Sequence, residues 1–214
     1  MRGPWGYPLK GRGDTGLYTF LRYLAIPFFG GLYRCRVQGA ENLPQTGPVM
    51  VIMTHKAFWD PVIAGMIFDR PLRFMAKKEL FANSAAAKFI TSLGAFPIDR
   101  GAGDRAALTA SLEMLKGGEI LLMFPEGHRQ RYHGVGEFLP GVGMIALRSG
   151  APVIPLALDG TQDMLRGGKL GLPALRGLVG PPIDLSDITT RNSKAYQEAA
   201  RRMHEAMVSL YARL

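Results

Sequence analysis

Cysteine is almost missing from this chain of 214 residues; Cys35 stands alone. An internal disulfide is therefore excluded, and the single thiol suits a reducing compartment. Histidine is scarce too: His55, His128, His133 and His204, with no Cys/His cluster at zinc-finger spacing. Long apolar runs are lacking. The most apolar early stretch, residues 17–32, is broken by Arg22, Pro27, Gly30 and Gly31. It falls short of the ~20 unbroken residues that a spanning helix needs. No transmembrane helix is expected, and the first 16 residues carry positive charge without the apolar core of a secretory signal. Acidic residues are outnumbered, 17 against 26 basic, for a net charge of +9. Such a protein seeks anions: nucleic acid, an anionic membrane or a phosphorylated substrate. Nucleic acid would call for a basic face with stacking aromatics or a known module. Here the aromatics gather in residues 17–34 instead, so no nucleic-acid partner is expected.

Internal repeats, low-complexity tracts and clear linkers are absent, and the length suits one domain with its own core. Within it, residues 1–36 form a segment rich in basic and aromatic residues. Arg2, Lys10, Arg12, Arg22, Arg34 and Arg36 face one acid, Asp14. Residues 17–34 read as one apolar helix. That composition suits the lipid headgroup layer, where rings sit half wet and cations meet anionic lipid. It equally suits a core-packing helix with a solvated rim.

Residues 37–214 alternate short apolar runs with helical patterns. Strands are expected at 49–53, 72–75, 95–98, 120–124 and 153–158, with a further edge at 178–180. The run at 153–158 reads best as a buried strand, although Pro152 and Pro155 suggest an edge or irregular one. Helices are expected over 62–68, 104–116, 142–149 and a closing amphipathic stretch near 196–214. This alternation predicts an α/β fold: a single layered domain with a mostly parallel central sheet covered by helices, plus an N-terminal membrane-surface helix.

The chemistry concentrates at the ends of the expected strands. THKAFWDP, residues 54–61, follows the first of them. His55 and Asp60 are five apart, about 140° around a helix and on opposite faces of a strand. They meet only if the chain turns between them, and Pro61 suits the first turn of a following helix. An aspartate on Nδ1 would fix the tautomer and leave Nε2 free to take a hydroxyl proton. The plainer alternative is a helix-capping Asp60 beside a structural histidine. FPEGHR, residues 124–129, places Gly127 between Glu126 and Arg129. Glycine lets backbone approach an anion, and Arg129 can grip phosphate with two donors. Glu126 would accept from a glycerol hydroxyl or hold Arg129; the alternative is a turn with a surface ion pair. A strand expected within GAFPIDRG, residues 94–101, ends in Arg100, and Lys77 and Lys78 lie at the end of another expected strand. Ligands in open α/β sheets bind beyond the carboxyl ends of strands, where all these residues fall.

Together HKAFWD, GAFPIDR, FPEGHR and APVIPLAL resemble, in order and spacing across residues 37–182, the four motifs of the glycerolipid acyltransferases, in particular the 1-acylglycerol-3-phosphate acyltransferases. The resemblance implies His55 as general base and Asp60 as its orienter. It implies Arg100, Glu126, Gly127 and Arg129 as the acceptor phosphate and glycerol site, with Lys77 or Lys78 as a further cation. It implies an acyl thioester donor (acyl-CoA or acyl-carrier protein), a lysophospholipid acceptor, no metal and no cofactor. The expected activity is acylation of lysophosphatidic acid to phosphatidic acid at the cytoplasmic face of a membrane, the protein being peripheral or monotopic. Another lysolipid, a glycolipid or glycerol 3-phosphate would serve as alternative acceptors, and a non-catalytic basic membrane-binding protein is the alternative outside enzymes. Two positions depart from the pattern: His128 where the family has Thr or Ser, and Ala57 where many members have Ser. Gly, Ala and Arg are frequent, as in GC-rich bacterial genomes.

Overall fold

In the computed structural model of the chain, which describes residues 16–68, 70–98 and 104–214, the apolar runs become strands of one seven-stranded sheet in the order β1-β9-β6-β2-β5-β3-β4. The strands are β1 (Arg36–Gln38), β2 (Val49–Met53), β3 (Leu72–Lys77), β4 (Ala95–Ile98), β5 (Ile120–Met123), β6 (Val153–Asp159) and β9 (Arg176–Val179). Strands β2 to β6 run parallel to one another. β9 is antiparallel to β6 and parallel to β1. Five parallel strands send all their carboxyl ends to one edge, and that edge carries the site. A small hairpin, β7 (Leu165–Arg166) and β8 (Lys169–Leu170), stands apart from the sheet.

Side-chain alternation splits the core into two layers. Val49, Val51 and Met53 of β2 face helices α1 (Gly16–Ala25) and α2 (Asp60–Ile67). Met50 and Ile52 face α5 (Gly141–Ser149) and α6 (Ser193–Tyr211), while Leu115 and Leu108 of α4 (Asp104–Lys116) close the same layer. β2, β5 and β6 are buried along their whole length, as continuous apolar runs require. One short helix, α3 (Ser84–Ser92), went unforeseen. Its start is capped by the Asn83 side chain, which accepts from Ala85 and Ala86 N–H.

The structure corrects several expectations. The run at 153–158 is the buried strand that its apolar residues suggest, and the edge suggested by its prolines is not found: β6 pairs with β2 on one side and β9 on the other. Pro155 is tolerated because it sits where the β6–β9 ladder opens. Its carbonyl accepts from Gly180 N–H at 2.8 Å, so a single amide is missing at a ladder end. The edge on that side is β1, not residues 178–180, which lie largely within β9. Residues 17–34 are not one α-helix. After Ala25 the chain widens into a π-helical segment, Ile26–Leu32, at Pro27, which lacks the amide that an α-helical ladder needs. The segment packs into the molecule, as a core-packing helix would: Ile26, Phe29 and Tyr33 belong to the same core layer as α2. Arg22 does not face the surface either. It is buried and donates to the carbonyls of Phe68 (2.7 Å) and Met66 (3.4 Å), clamping α1 to the carboxyl end of α2, where a cation is favoured. Arg2, Lys10, Arg12 and Asp14 lie outside the described residues.

Candidate active site

β2 ends by gripping its neighbour through a side chain. The Thr54 hydroxyl donates to Leu158 C=O (3.0 Å) and accepts from Leu158 N–H (3.1 Å), which extends the β2–β6 seam by one residue. The chain then turns through residues 55–59 and enters α2 at Asp60, with Pro61 in the first helical turn. This turn folds the five-residue interval back on itself. His55 Nδ1 lies 2.9 Å from Asp60 Oδ2. The same oxygen accepts the backbone amides of Lys56 (2.6 Å) and Ala57 (2.8 Å), so Asp60 shapes the turn as well as orienting the imidazole. Asp60 is fully buried, whereas the His55 side chain keeps 19% of its surface exposed. With Nδ1–H donated to the carboxylate, Nε2 is the basic nitrogen of an accessible ring. That ring stacks on Phe124, centroids 4.0 Å apart.

The turn after β5 braces the histidine from the other side. Glu126 is buried, and its two oxygens accept His55 N–H (2.8 Å) and Gly136 N–H (2.8 Å). The sequence suggested that this glutamate holds Arg129 or meets a glycerol hydroxyl; in the structure its hydrogen bonds go to backbone. Gln130 N–H donates to His55 C=O at 2.7 Å. Gly127 has φ +72°, a left-handed turn, and a Cβ there would come within 2.6 Å of Leu139. Its amide bonds to Phe124 C=O within the turn rather than pointing outward as an anion donor. Arg129 is exposed and makes no hydrogen bond or ion pair with a described residue. Lys77 ends β3 and Lys78 begins the next turn, both exposed. β3 is two strands from β2 in the sheet, which at ~4.8 Å per strand puts its end about 10 Å along the edge. Arg100 lies outside the described residues.

Lys56 and a polar cluster behind it carried no signal in the sequence reading. Lys56 is buried and donates to the carbonyls of Tyr132 (2.8 Å) and Gly134, with its ammonium over the rings of Tyr132 and Tyr211. Burial holds its pKa below the ordinary lysine value, against the pull of Glu126, Asp159 and Asp60. Asp159, at the end of β6, takes hydrogen bonds from Tyr211, Gln162 and His133. Burial pushes its carboxyl up, and these donors together outweigh that and hold it below the usual value. His133 also meets Asp163 at 3.1 Å, and His128 pairs with Gln130.

Beside the histidine turn lies an apolar surface. Trp59 packs near Phe28, Phe29 and Phe58. Phe28, Phe58 and Trp59 stay exposed, as do Leu17, Phe20, Tyr23, Leu24 and Leu32 on the first helical segment. Among the described residues no helix is long and apolar enough to cross a membrane.

Comparison with known proteins fits this geometry. The family model described as Acyltransferase matches residues 34–159, which span the strands from β1 to β6 and every site residue from His55 to Arg129. A 1-acyl-sn-glycerol-3-phosphate acyltransferase of Streptococcus pneumoniae is 30% identical over 195 residues, covering 89% of this chain and 72% of that protein. One from Bacillus subtilis is 31% identical over 179 residues, covering 80% and 83%. The crystal structure of the 1-acyl-sn-glycerophosphate (LPA) acyltransferase PlsC from Thermotoga maritima superposes with a TM-score of 0.72 at 25% identity, covering 92% of this chain and 80% of that one. The chain belongs to the acyltransferase family, and it is an acyltransferase enzyme of the glycerolipid kind.

Proposed function

We propose that this enzyme moves a fatty acyl group from an acyl thioester to the free hydroxyl of lysophosphatidic acid, making phosphatidic acid. The observation that carries the reading is the 2.9 Å contact between His55 Nδ1 and Asp60, with the opposite ring nitrogen open to a substrate. His55 Nε2 removes the hydroxyl proton as the oxygen attacks the thioester carbonyl. The new C–O bond forms, the C–S bond breaks, and the proton passes from His55 to the departing thiolate. No acyl-enzyme is required, and Cys35, fully buried at the start of β1, is remote in sequence from every motif. In this scheme the thioester, acyl-CoA or acyl-carrier protein, is a substrate and no cofactor takes part.

The acceptor's phosphate is assigned to Arg129, with Arg100 and Lys77 or Lys78 as further cations. The place of Arg129, Lys77 and Lys78 at the carboxyl edge of the parallel strands supports this, as do the named activities of the relatives. The apolar face of the first helical segment, continuous with Trp59 beside the base, supports docking on a membrane surface. The cytoplasmic leaflet, with its anionic lipid, suits the net charge of +9.

The test is acyl transfer from palmitoyl-CoA to lysophosphatidic acid in detergent, wild type beside His55→Ala. Product should form with wild type and fall by ~10²–10⁴-fold in the variant. Equal product from both would remove His55 from the mechanism.

A further inference from the structure

The Asp60 carboxylate has two oxygens with different partners. Oδ2 takes His55 Nδ1 and the amides of Lys56 and Ala57. Oδ1 takes one donor among the described residues: the hydroxyl of Thr161, at 2.8 Å and 101 residues away. Both side chains are buried, Asp60 fully and Thr161 at 1% exposure. A buried carboxylate oxygen without a donor is costly, so this bond is not incidental.

Thr161 is held in place by features independent of the dyad. The Thr54–Leu158 bridge keeps the ends of β2 and β6 side by side. Immediately after the last β6 pair, Asp159 with Arg176, Gly160 adopts φ +97°, and a Cβ there would strike Ala174 C=O at 2.8 Å. This glycine turns the chain out of the strand and starts the single turn Thr161–Asp163, closed by Met164 N–H onto Thr161 C=O. The threonine side chain is thereby aimed back at the first turn of α2. The strand that contains APVIPLAL, which the sequence marked without giving it a chemical task, thus leads into a turn whose hydroxyl reaches the carboxylate partner of His55.

We propose that Thr161 is a positioning residue for acyl transfer: its hydroxyl holds the Asp60 carboxylate in the rotation that keeps Oδ2 on His55 Nδ1. The proposal rests on the reading of His55 as the base. The geometry gives the reason. Without a donor on Oδ1 the carboxylate is held about χ2 from one oxygen only, and any pivot lengthens the His55 bond that fixes the tautomer. The hydroxyl dipole also lowers the negative potential at the dyad. Lys56 from the same turn, and the Glu126 and Asp159 carboxylates that act on it, are the same in every variant used to test the proposal.

The experiment compares wild type, Thr161→Val, Thr161→Ser and His55→Ala in the acyl-transfer assay across pH. Alongside it, the His55 ring is titrated by NMR, its signal assigned by its absence from His55→Ala. Thr161→Val should lose about tenfold or more in kcat, the kinetic equivalent of one hydrogen bond to a charged group, with acceptor KM changed by less than about twofold. The acid limb of its profile, and the His55 titration, should move to lower pH, because the pivot that lengthens the Asp60 contact weakens the carboxylate's hold on the imidazolium by more than the lost hydroxyl dipole strengthens it. Thr161→Ser should restore both. A valine variant with wild-type kcat and an unmoved titration overturns the proposal. So does a serine variant as impaired as the valine one, since packing rather than the hydroxyl would then be responsible. If Thr161→Val does not fold, Thr161→Ala is judged by the same criteria. If wild type itself transfers no acyl group, the functional reading fails, while the NMR titration still decides whether Thr161 sets the dyad.

Discussion

Glu126 Oε2 accepts the backbone amide of His55 at 2.8 Å, so the glutamate between β5 and α5 holds the main chain at the histidine. Its other oxygen holds Gly136 N–H at the same distance. Both bonds are charge-assisted and buried, and both need an acceptor. Glu126→Gln keeps the shape but turns one acceptor into a donor that faces an N–H. We expect it to destabilise the fold by about 1–3 kcal/mol and to lower kcat more than it raises acceptor KM. Urea denaturation with steady-state kinetics checks both. A large KM effect with kcat intact would return Glu126 to the acceptor.

Asp60→Asn tests the tautomer. The amide nitrogen, if it replaces Oδ2, meets three donors; if it replaces Oδ1, it meets the Thr161 hydroxyl and leaves one neutral acceptor on the imidazole. In either rotamer the carboxylate that favours Nδ1–H is gone. Activity should fall by roughly 10²–10⁴-fold, as in the Ser-His-Asp triad when its aspartate is made an amide. Acyl transfer by the purified variant at saturating substrates is the measurement. Retention of more than a tenth of kcat would make Asp60 a builder of the turn alone.

The layered fold was legible because its strands are buried on both faces and read as unbroken apolar runs, from Val49-Met50-Val51-Ile52-Met53 to Ile120-Leu121-Leu122-Met123. The turn joining His55 to Asp60 was legible from geometry, since a five-residue interval brings two side chains together only through a bend, and Pro61 marks where the bend ends. Residues that act through tertiary contact left no local trace. Thr161 lies 101 positions from the carboxylate it touches, and Lys56 lies 76 from the carbonyl of Tyr132. Pro155 misled because proline is judged by the amide it lacks, and the position of that missing amide at a ladder end shows only in the register. Arg22 misled because a cation on an apolar helix reads as surface, while here it caps the carboxyl end of α2.

Asp159 should make part of the stability depend on pH. Its folded carboxyl titrates below the ordinary value: burial opposes this, but the hydrogen bonds from Tyr211, Gln162 and His133 outweigh it. A depressed folded value means stability that is complete above the unfolded pKa of about 3.9 and lost as pH falls through the folded value. Asp159→Asn should cost about 1–2 kcal/mol near neutral pH, one charge-assisted hydrogen bond. The gap between the two proteins should close in acid. Urea midpoints from pH 7 downward test this, and a gap that is constant with pH would assign the loss to packing.

The apolar face of the first helical segment offers a direct test of membrane docking. Phe20, Leu24 and Phe28 are all exposed and spaced one turn apart. Their joint replacement by serine removes apolar area without touching the dyad. Sedimentation with anionic phospholipid vesicles should show binding reduced roughly tenfold or more, since each buried CH2 contributes about 0.8 kcal/mol. Activity on detergent-dispersed substrate should persist. Unchanged vesicle binding would move the docking surface elsewhere.

Lys56 joins stability to the segment that follows Arg129. Its ammonium holds the carbonyls of Tyr132 and Gly134, and the segment they belong to also supplies Gln130 N–H to His55 and Gly136 N–H to Glu126. Arg129 stands at its start. Lys56→Met removes two charge-assisted bonds but also a desolvated charge, and these nearly cancel, so the net stability change at pH 7 should stay within about 1 kcal/mol. The pH dependence separates the two contributions. Because burial lowers the folded pKa of Lys56, the unfolded chain binds more protons in the window between that value and about 10.4, and wild-type stability should rise with pH there. The methionine variant should lack that rise. Kinetically, loosening this segment should raise KM for a phosphate-bearing acceptor by roughly tenfold while kcat falls less, because Asp60 and Glu126 still fix His55. A variant with unchanged KM and a wild-type alkaline profile would reduce Lys56 to a space-filling side chain under Tyr132 and Tyr211.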